Sequence, residues 1–319
     1  MAAWKRLIRF VPKSSSSSKF LVGEPVDQNL DVGLALYQGK SVKANVFSGS
    51  SVLDAGSPTG ESVEVERVLS PVTQREAGTI RCIGLNYVQH AKEVKMALPT
   101  VPTLFMKPST SLNDPYPSPV PLPRLTKKDD CGDWESELAV ILSKDCKNVT
   151  EEQVPEYILG YTASNDVSSR VSQLNQSQWC FSKGFDGSCP IGPVLVSPSL
   201  IPNPSALHIR GLKNKDVMQD CGIDELIFGI PKLISFLSQS TTLPAGTVIV
   251  TGTPAGVGLN RDPKGTLKAG DEFTVEILPY IGSLINAKEV KPSAGFAAVE
   301  FPMQKGRTRP SKRGPKLSS

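Results

Sequence analysis

The sequence predicts an α+β fold that is mainly β, with many short strands and few helices. Its 26 glycines and 27 prolines are scattered along 319 residues rather than gathered into linkers. That pattern suits short strands joined by turns better than a helical bundle. The apolar residues gather in short strand-like pieces, and helix-start signals are few. With 39% hydrophobic and 21% charged residues, the chain can fill one large core or two smaller ones. No apolar run approaches the ~18 residues that a membrane span needs, so the expectation is a soluble protein with no membrane partner.

Taken from the N-terminus, Leu7 to Val11 and Phe20 to Val22 read as a hairpin around the serine run Ser14–Ser18. The competing reading of this end is a mitochondrial transit peptide. Lys5, Arg6, Arg9, Lys13 and Lys19 precede the first acid, Glu24. Val32 to Leu36 is expected as a strand, Ser57 to Gly60 as a loop, and Val63 to Leu69 as a strand ended by Pro71. Residues 1–75 therefore read as a small N-terminal β-domain, and residues 76–291 as the catalytic part. Asp133 to Leu142 reads as one strand, with Ala139 to Leu142 as its apolar run. Thr150-Glu151-Glu152-Gln153 is a capping-box sequence for a helix towards Ile158, kept short or kinked by Pro155. Asn165-Asp166 is expected to come after a helix-like segment. A further helix starts near Pro231 and buries Leu233, Ile234 and Leu237. Leu243 to Gly258 reads as a turn, a buried strand and a glycine-rich loop. No Gly-Lys-Ser/Thr succeeds that loop, so it is not a phosphate-binding loop. Residues 292–319 lack periodicity and read as a basic, disordered tail.

Charge and cysteine usage exclude several classes. Six cations, Lys305, Arg307, Arg309, Lys312, Arg313 and Lys316, lie in the last fifteen residues without an acid. Removing them from the net charge of +4 leaves the body near −2, which gives no reason to expect nucleic acid as a partner. The six cysteines form no C-x-x-C pair, and the two histidines, His90 and His208, lie near no cysteine cluster. That argues against zinc. No secretory signal is visible, so reduced thiols in a cytoplasmic enzyme are expected.

Chemistry is suggested first by Glu135 and Glu137. On a strand they share a face, where two carboxylates repel unless one is neutralised or a cation sits between them. Oxygen ligands of this kind suit Mg²⁺, Mn²⁺ or Ca²⁺ better than zinc. The alternative is a solvated edge strand with two surface acids. His90 and Glu93 are three apart and touch if they sit on a helical turn, where the carboxylate orients the imidazole as a general base. Asp166 offers a third carboxylate. Arg170, Gln173 and Lys183 are groups able to bind a carboxylate or a developing enolate beside a metal. Against these stand a turn aspartate and a solvated lysine.

Together the motifs are more specific. Ile80-Arg81-Cys82-Ile83-Gly84-Leu85-Asn86-Tyr87 precedes His90 and Glu93, Lys107-Pro108 and Asp133-Trp134-Glu135-Ser136-Glu137-Leu138. Then come Gly160-Tyr161-Thr162, Asn165-Asp166-Val167, Lys183-Gly184-Phe185-Asp186 and the run Thr251 to Gly258. In order and spacing this resembles the fumarylacetoacetate hydrolase family over about residues 4–291. It is closest in pattern to the acylpyruvase and oxaloacetate decarboxylase-like members. The resemblance implies a mixed β-sheet roll and a homodimer. It implies Mg²⁺ or Mn²⁺, with Ca²⁺ as a further candidate, on Glu135, Glu137 and Asp166. It also implies a water-activating dyad of His90 and Glu93 on a lid, with Lys183 among the catalytic groups. Arg170, Gln173 and Thr253, with Lys183, would contact the keto-acid end. The implied activity is metal-dependent hydrolysis of a C–C bond in a β-diketo acid, an acylpyruvate or a fumarylacetoacetate-like compound. Oxaloacetate decarboxylation or an isomerase or tautomerase reaction would use the same site. The alternative of another class is an idle interaction protein with the basic tail as its docking element. Three positions depart from the usual pattern: Val171, Lys215 in a turn that favours glycine, and Cys221-Gly222-Ile223.

Overall fold

The computed structural model describes residues 4–13 and 20–286. The serine run Ser14–Ser18 and the basic tail lie outside the described residues. One mixed sheet carries, in spatial order, Leu21–Pro25, Lys43–Phe47, Pro58–Leu69, Arg6–Pro12, Cys189–Val196, Ile158–Asn165, Ser136–Leu142, Val248–Val250, Ile80–Gly84 and Thr103–Lys107. Leu112–Asn113 adds to it in parallel beside Cys189–Val196. Val248–Val250 runs parallel to Ile80–Gly84 and antiparallel to Ser136–Leu142. Arg6–Pro12 is a joint: it pairs with Leu21–Pro25, with Pro58–Leu69 and with Cys189–Val196. A second, four-stranded sheet has the order Asp216–Gly222, His208–Lys213, Phe273–Leu278, Gly282–Asn286.

Ser136–Leu142 is buried along its whole length. Leu138, Val140 and Leu142 join a core shared with Ile209, Phe273, Val275 and Leu284 of the smaller sheet. Ala139 and Ile141 join a second core with Ile80, Cys82, Phe105, Val248 and Val250. The alternation is the period of two of a strand with apolar layers on both faces. Each buried Val, Leu, Ile or Phe among them contributes about 1.5–3 kcal/mol by leaving water. The strand therefore has little freedom to slip, because a one-residue shift would exchange its two faces.

Several expectations need correction. Val32–Tyr37 is a helix rather than a strand. Asp31 caps it by accepting the Leu34 N–H at 3.0 Å. Gly33 lets it approach the small sheet, since a Cβ there would lie 1.8 Å from the Ser283 carbonyl oxygen. Pro58–Gly60 open a long strand instead of forming a loop. Asp133 to Leu142 is two strands, Gly132–Asp133 and Ser136–Leu142, broken at Trp134-Glu135. Asn165-Asp166 comes after a strand, Ile158–Asn165, because that segment pairs along the central strand. The capping-box sequence leads only to a 3₁₀ turn over Val154–Tyr157. Gln153 reaches back to the Thr150 N–H at 3.0 Å, but Pro155 keeps the turn short. The later helix is Ile230–Ser238, with Pro231 in its first turn and Leu233, Ile234 and Leu237 buried, as the sequence pattern requires. Lys215 takes φ 78° after Asn214 at φ 51° in a two-residue hairpin turn. A β-carbon in that region costs about 1 kcal/mol.

Candidate active site

Strand pairing brings the three acids together. Ser164 lies opposite Glu137 and Asn165 opposite Ser136, so Asp166 succeeds one strand where Glu135 precedes its neighbour. The break at Trp134-Glu135 is stitched to this end. The Asp166 N–H donates to the Glu135 carbonyl at 2.9 Å, and the Glu135 N–H donates to Asn165 Oδ1 at 3.1 Å. Glu135, Glu137 and Asp166 are all buried, with carboxylate oxygens within 4.8 Å of one another. The solvated-edge alternative fails, since the strand is central and enclosed.

Cations crowd this cluster. Lys183 Nζ donates to Glu135 at 2.7 Å and to Asp166 at 2.8 Å. Arg170 Nη1 donates to Glu135 at 2.6 Å and to Gln173 Oε1 at 2.9 Å. Lys107, fully buried, donates to the other Asp166 oxygen and to the Ser188 carbonyl at 3.1 Å. Burial works against the Glu135 charge, but Lys183 and Arg170 outweigh it and hold the carboxyl down at about 2. Burial likewise works against the Lys183 ammonium, and Asp166 and Glu135 overcome it, raising its pKa. Glu137 differs. Among the described residues it makes no ion pair; its close partner is the backbone N–H of Gly252. Burial, then the charges of Asp166 and Glu135, push its carboxyl well above the usual range. Gly252 has φ 107°, and a Cβ there would lie 2.7 Å from Asn86 Cβ. Only glycine brings this N–H so close.

His90 and Glu93 lie on the short helix Val88–Glu93, with Nδ1 of His90 2.9 Å from Glu93 Oε2. The other Glu93 oxygen accepts the Gly256 N–H at 3.0 Å, which ties this helix to the glycine-rich loop. Burial opposes the Glu93 charge, but His90 and the Gly256 N–H keep its pKa below the usual value. Asn86 anchors the start of the segment. Its Nδ2 donates to the carbonyls of Thr251 at 2.8 Å and Phe228 at 3.1 Å.

His90, Glu93, Glu135, Arg170, Gln173, Lys183 and Thr253 line one cavity of about 430 Å³. Leu85, Met96, Leu174, Trp179, Val257 and Leu259 form much of the remaining wall. Glu137 and Asp166, clustered with Glu135, are not among the cavity's lining residues. Thr253 Oγ1 is engaged by Gln219 Nε2 at 2.7 Å. Sequence reasoning gives no role to Lys107, Asp133 or Gln219. Lys107 carries a signal, since it shares strand parity with buried Phe105 and a lysine there must find a partner. Asp133 and Gln219 carry none, because Arg170, Gly258 and Leu259 around Asp133, and Ser136 and Thr253 around Gln219, lie far along the chain.

Residues 79–289 match the family described as fumarylacetoacetate (FAA) hydrolase C-terminal. A caffeoylpyruvate hydrolase of Neonothopanus nambi is 42% identical over 292 residues, covering 89% of this chain and 93% of that protein. The mitochondrial oxaloacetate tautomerase fahd2 of Xenopus laevis is 40% identical over 221 residues, covering 69% of this chain and 67% of that protein. Among solved structures, the 2-hydroxyhepta-2,4-diene-1,7-dioate isomerase of Mycobacterium marinum superposes with a TM-score of 0.71. It is 29% identical, over 89% of this chain and 98% of that one. Among the described residues, no helix is long and apolar enough to cross a membrane.

Proposed function

The chain belongs to the fumarylacetoacetate hydrolase family, and we propose that it is a divalent-metal-dependent acylpyruvate hydrolase. The carrying observation is that the His90–Glu93 pair and Glu135, one acid of the carboxylate cluster, line one cavity whose remaining wall is largely apolar. The similarity to a caffeoylpyruvate hydrolase over most of both chains supports the same reading.

Glu135, Glu137 and Asp166 are the proposed metal ligands. The donor set fits a hard cation, being three clustered carboxylates with no sulfur or imidazole. Glu137 is the buried carboxylate that makes no ion pair among the described residues, so an added positive charge there offsets a real cost. Mg²⁺ or Mn²⁺ is proposed, with Ca²⁺ as the larger alternative. A bound divalent cation supplies Lewis acidity toward a 2-oxo-carboxylate and lowers the charge of the cluster.

The remaining steps belong to the chain. Arg170 lines the cavity, and its Nη2 is buried with no hydrogen-bond partner among the described residues, so Nη2 is the donor proposed for the substrate carboxylate. Gln173 and Thr253 border the same end. Glu93 fixes His90 through Nδ1, which leaves Nε2 to take a proton from water. The hydroxyl oxygen adds to the carbonyl carbon of the acyl group. The bond between that carbon and the methylene then breaks, and its electron pair passes to the pyruvate portion as an enolate. The Lys183 ammonium, kept charged by Asp166 and Glu135, stabilises the enolate charge, and protonation yields pyruvate and a carboxylic acid. The apolar wall suits an uncharged, hydrophobic acyl group. A homodimer is part of the proposal on the strength of the resemblance, and a cytoplasmic setting on the reading of the cysteines, with the mitochondrion as the alternative from the basic N-terminal residues.

A second reading, oxaloacetate tautomerisation or decarboxylation at the same cluster, is favoured by the tautomerase relative. The test is purified protein with Mg²⁺ or Mn²⁺, assayed against aromatic and aliphatic acylpyruvates, fumarylacetoacetate and oxaloacetate. Pyruvate release from acylpyruvates supports the proposal. Turnover of oxaloacetate alone transfers the assignment to the second reading, and no metal-dependent turnover of any of them removes both.

A further inference from the structure

We propose that Asp133 is a positioning residue that holds Arg170 and the glycine-rich loop in one fixed relation, aiming Arg170 Nη2 at the substrate carboxylate. This rests on the hydrolase reading above. Asp133 is buried, and each of its oxygens takes two donors. Oδ1 accepts the N–H of Trp134 at 2.8 Å and of Gly258 at 2.7 Å. Oδ2 accepts the N–H of Leu259 at 2.9 Å and Nε of Arg170 at 2.7 Å. A carboxylate has about four acceptor positions, so this one is fully used by protein donors and stands apart from the metal-ligating set.

The consequence for Arg170 is geometric. A guanidinium is planar with its donors in a rigid fork. Asp133 holds Nε, while Glu135 and Gln173 hold Nη1, so the direction of Nη2 is fixed. The consequence for the loop is equally direct. A Cβ at Gly258 would lie 2.7 Å from Asp133 Oδ1 and 2.2 Å from the Gly265 carbonyl oxygen, so the loop is seated hard against this carboxylate. The same loop gives the Gly252 N–H to Glu137 and the Gly256 N–H to Glu93. One side chain thus sets the carboxylate-binding arginine relative to both the acidic cluster and the His90 helix.

The test is Asp133→Asn. It keeps the shape and one acceptor but turns an amide donor towards Arg170 Nε and the Leu259 N–H, which are themselves donors. The expected result is a rise of roughly tenfold in KM for an acylpyruvate, a parallel weakening of pyruvate binding measured by calorimetry with Mn²⁺, and a smaller fall in kcat. The deciding measurement is the double variant with Arg170→Gln. If Asp133 acts through Arg170, adding Asp133→Asn to Arg170→Gln raises KM little further. Effects on KM that multiply, or an unchanged KM in a folded Asp133→Asn variant, overturn the assignment. Should the Asn variant not fold, Asp133→Glu keeps the charge, shifts both oxygens and carries the same expectation; failure of both to fold overturns it too. Wild-type protein that binds Mn²⁺ but neither cleaves acylpyruvates nor binds pyruvate overturns the functional reading instead. Asp133 is then judged by Mn²⁺ affinity, which must still weaken in the variant because Arg170 and the loop both set the ligating carboxylates.

Discussion

Replacing Glu137 with Gln separates the metal-binding role of this carboxylate from its cost to the fold. A ligand present at 100 times its Kd stabilises the folded state by about 2.7 kcal/mol. At about 2.1 cal/mol/K of unfolding entropy per residue, each kcal/mol moves the Tm of a 319-residue chain by roughly 1.5 °C, so saturating Mn²⁺ should raise wild-type Tm by about 4 °C. If Glu137→Gln weakens binding about 100-fold, the same Mn²⁺ concentration gives only about 0.4 kcal/mol, a shift below about 1 °C. In chelator the sign reverses. Burial and the neighbouring Asp166 and Glu135 charges raise the Glu137 pKa in the folded protein. The folded state therefore keeps a proton that the unfolded chain releases above about pH 4.3. This group's contribution to stability is full below that pH and is lost as pH rises through its folded value. Gln cannot ionise and can still accept the Gly252 N–H. The metal-free variant should therefore match wild type near about pH 4 and exceed it increasingly as pH rises from there. Thermal melts in chelator and in Mn²⁺ across that range read both effects. A variant that keeps the full Mn²⁺ shift, or that is the less stable protein in chelator at high pH, would refute the reasoning.

Glu135→Gln should act in the opposite direction. With its carboxyl held near 2 by Lys183 and Arg170, losing this group in chelator should cost on the order of 3 kcal/mol by denaturant unfolding, a loss present above about pH 4.5 and vanishing as pH falls through 2. Gly252→Ala meets Asn86 at 2.7 Å with φ 107°; about 1–3 kcal/mol of stability and part of the metal affinity should go together, and an unchanged Mn²⁺ titration would show that this N–H does not set Glu137. His90→Ala with metal saturated should slow acylpyruvate hydrolysis by about 10² to 10⁴ while slowing oxaloacetate decarboxylation, where measurable, much less, because CO₂ leaves without an attacking water. Equal losses would mean that His90 acts chiefly by closing the helix over the site.

How much of this site is legible in the sequence depends on how far apart the interacting residues lie. Glu135 and Glu137 are legible because they are two residues apart, and His90 and Glu93 because three-residue spacing on a helical turn makes them neighbours. The apolar stripe of Ile230–Ser238 is legible for the same local reason. Val32–Tyr37 reads wrongly as a strand because five small or apolar residues fit either period, and the deciding facts are an Asp31 cap and a Gly33 contact with residue 283. The segment before Asn165-Asp166 reads wrongly as helix-like because the partner strands of Ile158–Asn165 decide its state.

Arg170 shows how a correct residue can carry an incomplete role. Its charge suggests a free substrate-binding cation, yet its Nε and Nη1 are spent on Asp133, Glu135 and Gln173. A guanidinium so engaged cannot swing towards a substrate; it offers one fixed donor, Nη2. Lys183 is constrained in the same way by Glu135 and Asp166. The site's cations therefore serve first to keep buried carboxylates ionised. In a low-dielectric interior that pairing is required, because an unpaired carboxylate would take up a proton and lose its value as a metal ligand. Glu137 is the one acid of the cluster without a cation among the described residues; burial and then the Asp166 and Glu135 charges push its carboxyl upward, so it is the proposed ligand whose charge a divalent ion would do most to stabilise.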